Sequence, residues 1–343
     1  MTAPIETGLL GAAVSSWPAR LKFAAGLGVT AILIWLIVQR VDLHTMLGLL
    51  MGLTWQTMTV AALFLTFDFA AKIARWRLML SPIVPGITWR AAGQTLIASI
   101  ALNNVLPFRA GDAARAFAFR DVLQAPASAL LPLLVLERLL DTAVLVVLAA
   151  GVMIPIESVG LLPKGFEFIK PLAVAVIAGS AVAIVFAVPV SQYLYRHEAS
   201  LATRLPERAR GPFKLALAAV ARQLEGYQAL KLVALTTTGW LFEGAMFCTL
   251  AQGFHFSHPV LAGTLACALA TLSGLIPSTP GAFGTFHAAA IAAVSLFGAI
   301  TTEAAAYAVA VHAFMWLPIT IAGAACLAAL SARALPSTPK ETA

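Results

Sequence analysis

Charge is what this sequence has least of. Asp, Glu, Lys and Arg make up 11% of its 343 residues, where a soluble domain carries about a quarter. With 60% hydrophobic residues and a mean hydropathy of +0.90, that scarcity excludes a water-soluble globular chain and specifies an integral membrane protein. Cysteine is also sparse: Cys248, Cys267 and Cys326 stand singly in apolar runs, without CxxC spacing or a disulfide framework, and read as core fillers. There is no P-loop, no nucleophile elbow and no HExxH. His255 and His258 have no acid or cysteine beside them, so no metal site is expected, and no cofactor. Alternating strand patterns are missing, so helices rather than a barrel must satisfy the backbone in lipid. Met1–Ser16 lacks the basic start, apolar core and small-residue site of a cleaved signal, so the first span is expected to be retained.

What is present is apolar runs. Leu21–Val38, Trp55–Ile73, Pro171–Val190 and Tyr307–Leu330 each approach or exceed the ~20 residues that cross a bilayer. Leu130–Ile154 is a further run, with charges inside it. The net charge of +7 sits in short stretches between spans, which fits the positive-inside rule rather than a nucleic-acid partner. Arg196–Lys231 is the most basic stretch and is placed in the cytoplasm, as a loop over residues 191–230. It is helix-compatible and reads either as a segment lying on the inner leaflet or as a solvated linker. The nearly neutral Pro155–Lys170 then lies outside. Residues 331–343 are expected to be a disordered tail, and both termini cytoplasmic.

Two segments 170 positions apart share a pattern. Gly93, Ala98, Leu102, Pro107 and Gly111 align without a gap on Gly263, Ala268, Leu272, Pro277 and Gly281. Apolar segments broken by proline and glycine, in matching places of two halves, point to a transporter's binding site. Charge sharpens this. Lys72, Arg75, Arg77 and Arg90 before the first segment, and Arg109, Arg115 and Arg120 after it, both ask for the cytoplasmic side. A segment whose ends share a side is a re-entrant hairpin, tolerated where it lines a protein-enclosed cavity. Pro107 and Gly111 form its turn; Pro277, Pro280, Gly281 and Gly284 form the turn of the second. The expected fold is an all-α polytopic membrane protein, one domain over residues 1–330. Its halves, about 20–155 and 168–330, are inverted repeats of three spans plus a hairpin; the alternative is eight or more full spans.

Ionisable residues inside apolar spans are functional candidates by default, since each costs roughly 2.5–3.5 kcal/mol at a helix centre. Glu137 and Asp141, four apart, share a helical face, with Arg138 on the adjoining one; their expected cationic partners are Arg109 and Arg115. A clamp of the hairpin and a substrate site are equally compatible readings. Asp112 suits the N-cap of the returning helix, Arg109 and Arg115 suit a phosphate, and Asn103 and Asn104 add amide donors. Thr285 and His287 open the helix after the second turn, an anion-binding geometry. Glu243 is isolated in its span and expected to face the bundle. Asp68 and Lys72 read as a local helix pair.

The runs Asn103-Asn104…Leu106-Pro107…Arg109…Gly111-Asp112…Arg115, Glu137-Arg138-Leu139…Asp141 and Pro277…Pro280-Gly281…Gly284 together resemble the membrane region of lysylphosphatidylglycerol synthase/flippase proteins, over roughly Leu21 to Leu330. The resemblance implies a bacterial inner-membrane protein that moves a lipid or lipid-linked headgroup between leaflets, with membrane lipids as ligands and a lipid-synthesis enzyme as a possible partner. Relatives are associated with aminoacylated phosphatidylglycerol, lipid-linked sugars and hopanoid-related processes. Two positions depart from the family pattern: Asp112 stands where Glu is usual, and His287 where the second motif commonly ends in Glu. No aminoacyltransferase domain is expected, so the chain is not read as an enzyme. A membrane-embedded enzyme using Glu137, Asp141 or His287, and an accessory scaffold, are the alternatives.

Overall fold

The computed structural model describes Gly28 and residues 31–33, 35–37, 39–156, 169–275 and 279–334. Most of the Leu21–Val38 run, Pro277 and the Pro336–Ala343 tail lie outside the described residues. Among those described, the secondary structure is entirely helical: α1 (Leu43–Met51), α2 (Trp55–Leu80), α3 (Trp89–Val105), α4 (Ala110–Phe117), α5 (Arg120–Leu123), α6 (Ala127–Met153), α7 (Ile169–Arg196), α8 (Glu198–Thr203), α9 (Glu207–Gln223), α10 (Gly226–Gly253), α11 (Pro259–Ser273), α12 (Thr285–Ser295) and α13 (Thr301–Ala334). Among the described residues, three helices are long and apolar enough to cross a membrane: α2, α7 from Lys170, and α13 as far as Ala332.

Local chemistry sets the boundaries. Asp42, Thr54 and Thr88 cap α1, α2 and α3, each side chain accepting from backbone N–H groups in the first turn. α1 lies outside the apolar runs picked out in the sequence, and Asp42 serves as its cap. α3 ends where Leu106 is driven to an extended conformation by the proline after it. A 3-10 turn, Pro107–Arg109, then reverses the chain, with Arg109 itself left-handed at φ 52°. Gly111 is not the turn residue: it is helical, and a Cβ there would fall 1.8 Å from the Ser99 carbonyl oxygen. It is small so that α4 can double back against α3. In the second device the reversal does use glycine, with Gly281 at φ 69° and Gly284 at φ 87°.

The apolar side chains form two clusters. One gathers Leu65, Leu145, Phe247, Ala266, Ala290 and Tyr307; the other gathers Trp76, Met79, Leu96, Leu130, Leu133 and Leu330. α2 and α13 run from the first cluster to the second, and α6 and α10 run the other way. In the middle of α2, between the clusters, lie Asp68, Lys72 and Arg75; in the middle of α6 lie Glu137, Arg138 and Asp141. The polar stratum is therefore sandwiched at mid-helix. α2 packs on α10, while α3 packs on α13 and α11 on α6. Close approach is bought with glycine: a Cβ at Gly323 would lie 2.2 Å from that of Ala101, and one at Gly263 would lie 2.6 Å from the Cys248 backbone.

The basic 191–230 stretch is neither a bare linker nor free of the bundle. α9 packs against α6 and α7; Gln223 is buried and donates to the Met79 carbonyl at 2.7 Å, and Arg222 donates to that of Pro82 at 2.7 Å. α13 runs past Leu330 to Ala334, into the stretch expected as tail. Outward faces carry large apolar side chains, among them Val135, Leu139, Val185, Phe186 and Ile321, as contact with acyl chains requires.

Gly111→Ala and Gly323→Ala should each lower unfolding stability in detergent by about 1–3 kcal/mol. Gly151→Ala, where a Cβ meets nothing within 4 Å, should leave it nearly unchanged. Thermal unfolding of the three variants checks the ordering.

Candidate functional site

The polar stratum encloses a cavity of about 560 Å³, within the range of small-ligand sites. Its wall takes residues from α2, α3, α6, α10, α11 and α13 and from both proline–glycine turns. Asn103, Asn104, Arg109, Glu137, Arg138, Asp141 and Glu243 line it, together with Pro280 and Gly281. The two devices meet there. Trp316 donates to the Asn104 carbonyl at 3.4 Å. A Cβ on Gly281 would lie 3.1 Å from that oxygen, and one on Gly274 would lie 3.2 Å from a nitrogen of the Arg109 guanidinium.

One charged network spans α2, α4 and α6. Arg75 grips Asp141 through both nitrogens, at 2.5 and 3.3 Å, and reaches Glu137 at 3.6 Å. Asp141 also accepts from the Trp240 indole at 2.9 Å. Arg115 holds Glu137 at 3.0 Å and Asp112 at 3.2 Å, with its guanidinium 4.6 Å from the centre of the Trp76 ring. Arg138 completes the web, contacting Glu137 at 2.9 Å and Asp112 and Asp141 each at 3.5 Å. Asn103 locks the turn, accepting from the Asp112 N–H at 3.2 Å and donating to its carboxylate at 3.1 Å. Asp112 lies in the first turn of α4 and is not its N-cap; the residue in the cap position is Arg109. Arg115, fully buried, and Asp112 do not reach the cavity wall.

Arg109 differs from every other cation here. It lines the cavity and is half-buried, yet among the described residues it makes no ion pair and no side-chain hydrogen bond. Its left-handed backbone is a conformation that non-glycine residues adopt at a cost of order 1–3 kcal/mol and that clusters at functional sites.

A second charged group joins α2 to α10. The Lys72 ammonium sits 2.8 Å from Asp68 and 2.5 Å from Glu243, 4.8 Å from the centre of the Trp240 ring. Asp68 with Lys72 is thus more than the local pair expected, because Glu243 closes it across helices. Thr285 and His287 stand behind the wall. Thr285 donates to the Ala282 carbonyl at 3.2 Å, and His287 meets the wall residue His312 at 3.3 Å.

Asp68, Lys72, Arg75, Trp240, His312 and Trp316 belong to the wall without having been singled out for it. Lys72, Arg75, Arg109 and Arg115 all read as cytoplasmic flank charges; ion pairing of the first two and of Arg115, and the place of Arg109 on the cavity wall, remove them from that count and leave Arg77, Arg90 and Arg120. For Lys72 the available signal was its position inside the Trp55–Ile73 run. Among the described residues no group of three or more His, Cys, Asp or Glu could hold a metal.

Removing one partner of a buried ion pair strands the other, at about 3–5 kcal/mol. Arg115→Met should therefore destabilise the fold by about that amount. Arg115→Met combined with Glu137→Gln should cost less than the two single changes together. Unfolding free energies in detergent, arranged as a double-mutant cycle, check both statements.

No curated protein matches the chain. A family model described as the lysylphosphatidylglycerol synthase TM region matches residues 23–323. Two of the helices able to span a membrane, most of α13 and the charged motifs lie within that match, and the chain belongs to this family of membrane proteins.

Proposed function

We propose that the protein moves an anionic lipid, or a lipid-linked headgroup, between leaflets of the bacterial inner membrane, with the headgroup passing through the cavity and the acyl chains remaining in lipid. The observation that carries this reading is Arg109: a half-buried guanidinium without a partner, on the wall of a cavity lined by both charged and apolar side chains, and at the junction of two broken helices. Buried cations are otherwise paired, and an unpaired guanidinium suits a bidentate phosphate.

The halves are inverted repeats in this reading. Supporting it, α2 and α10 traverse the apolar clusters in opposite senses, as do α6 and α13, and each hairpin arm packs on the last helix of the other half. The first hairpin is re-entrant: α3 is about 26 Å long and α4 only about 12 Å at 1.5 Å per residue, too short to finish a crossing. Both termini then lie in the cytoplasm. Glu137 and Asp141 act as holders of Arg75, Arg115 and Arg138 rather than as acid–base catalysts, because their oxygens are occupied by those arginines. A lipid-synthesising enzyme is the expected source of the substrate.

In vesicles carrying the reconstituted chain and a fluorescent phosphatidylglycerol, Arg109→Gln should slow leaflet exchange by about tenfold or more, the loss of a charge-assisted hydrogen bond. Arg120→Gln, on an exposed side chain, should leave exchange unchanged. Wild-type exchange by the Arg109 variant would overturn the assignment.

A further inference from the structure

The Lys72 group has an imbalance that the larger network lacks. In the network, Arg75, Arg115 and Arg138 face Asp112, Glu137 and Asp141, and the formal charges cancel. At Lys72, one ammonium serves two carboxylates, Asp68 and Glu243, which are 0% and 1% exposed. Each acid spends one oxygen on the lysine. The other oxygens, Asp68 Oδ1 and Glu243 Oε1, are buried and have no hydrogen-bond partner. A buried negative charge in excess, with unsatisfied acceptors, is among the most expensive arrangements a protein interior can hold. Both acids line the same cavity as Arg109.

Among the described residues, none packed around the group supplies the missing positive charge. On α2 the next cation is Arg75, committed to Asp141 and Glu137. α3 brings Leu96, Ile100 and the two asparagines to the wall, and α6 brings only members of the neutral network. α10 and α11 place the thiols of Cys248 and Cys267 nearby, and α13 offers Tyr307, donating to the Phe247 carbonyl, and His312, engaged with His287. Gly239 of α10 faces Asp68 Oδ1: a Cβ there would lie 3.3 Å from that oxygen.

We infer that Asp68, Lys72 and Glu243 form a proton-binding site, with one proton shared by the two carboxylic groups, and that its occupancy is linked to an anion at Arg109. The inference rests on the headgroup reading for its second half only. With the site deprotonated, its excess negative charge faces the same cavity as Arg109. A phosphate on Arg109 brings further negative charge into that cavity, so anion binding draws a proton onto Asp68 or Glu243 from solvent, and the proton in turn favours the anion. A carboxyl O–H forms as the proton arrives and can donate to the oxygen that now lacks a partner. Movement of an anionic headgroup is thereby accompanied by a proton, which allows a proton gradient to drive it in one direction.

The full-length protein in detergent, titrated with acid and followed by infrared difference spectroscopy, should show a protonated-carboxyl C=O band that is lost in both Asp68→Asn and Glu243→Gln. Each substitution leaves a neutral Lys72–carboxylate pair that needs no proton. Adding dihexanoyl-phosphatidylglycerol should take up about one proton per lipid bound, and its affinity should rise by up to about tenfold per pH unit as the pH falls through the linked window. Both effects should vanish in the two variants. A band absent from the wild type, or unchanged in both variants, would overturn the proton site. A band responding to sodium rather than to pH would overturn it in favour of a metal cation. Lipid binding without proton uptake overturns the linkage, whereas a band that titrates as expected with no lipid binding at all leaves the proton site standing and removes the headgroup reading.

Discussion

Ionic groups in an apolar bundle must neutralise one another, and that requirement organises this molecule. Arg75 of α2, Arg115 of α4 and Glu137, Arg138 and Asp141 of α6 satisfy it only if the three helices are held at fixed distances. Hydrogen bonds from Asn103 and Trp240 then orient the carboxylates. The hydrophobic clusters on either side provide most of the favourable burial, yet they do not dictate which helix faces which. In lipid, where apolar contact between helices gains little over contact with acyl chains, the ion pairs fix the partners. The cavity is what remains between helices whose charges cannot approach more closely.

Small residues decide how near the broken helices come. Gly111 lets α4 lie on α3, Gly323 lets α13 lie on α3, and Gly263 lets α11 lie on α10. The hairpin tips consequently reach the polar stratum from the two apolar clusters and touch across Gly274 and Gly281. The backbone strain is placed where the tips meet, at Arg109 in the first turn and at Ala282, left-handed at φ 56°, in the second.

Much of this was legible in the residues. The runs Trp55–Ile73, Pro171–Val190 and Tyr307–Leu330 forecast helices able to span a membrane; the broken segments forecast the turns; and Glu137, Arg138 and Asp141 marked themselves by being charged inside an apolar run. The pairing of Arg115 with Glu137 followed from the need of a buried acid for a cation. What could not be read was the third dimension. Arg75, Trp76 and Arg77 are adjacent in sequence, and sequence alone reads such a cluster as an interfacial flank; only the packing of α2 on α10 and its ion pairs to α6 turn Arg75 and Lys72 inward. Glu243 was expected to face the bundle, but its partner Lys72, 171 residues away in sequence, carries no local signature. Asp112 matched a capping pattern, and a competing partner, Asn103, drew it into a different role. Trp316 was hidden in a uniformly apolar run, where its polar atom gives no periodic signal.

The account turns on whether the Arg109 side of the cavity receives an anionic headgroup. An experimental structure of the full chain in a bilayer rich in phosphatidylglycerol tests that most directly. The expected result is a lipid phosphate within hydrogen-bonding distance of the Arg109 guanidinium, with Arg75, Arg115 and Arg138 still bound to their carboxylates. A collapsed cavity with Arg109 paired to Glu137 or Asp141, or a cavity filled by acyl chain, would contradict it.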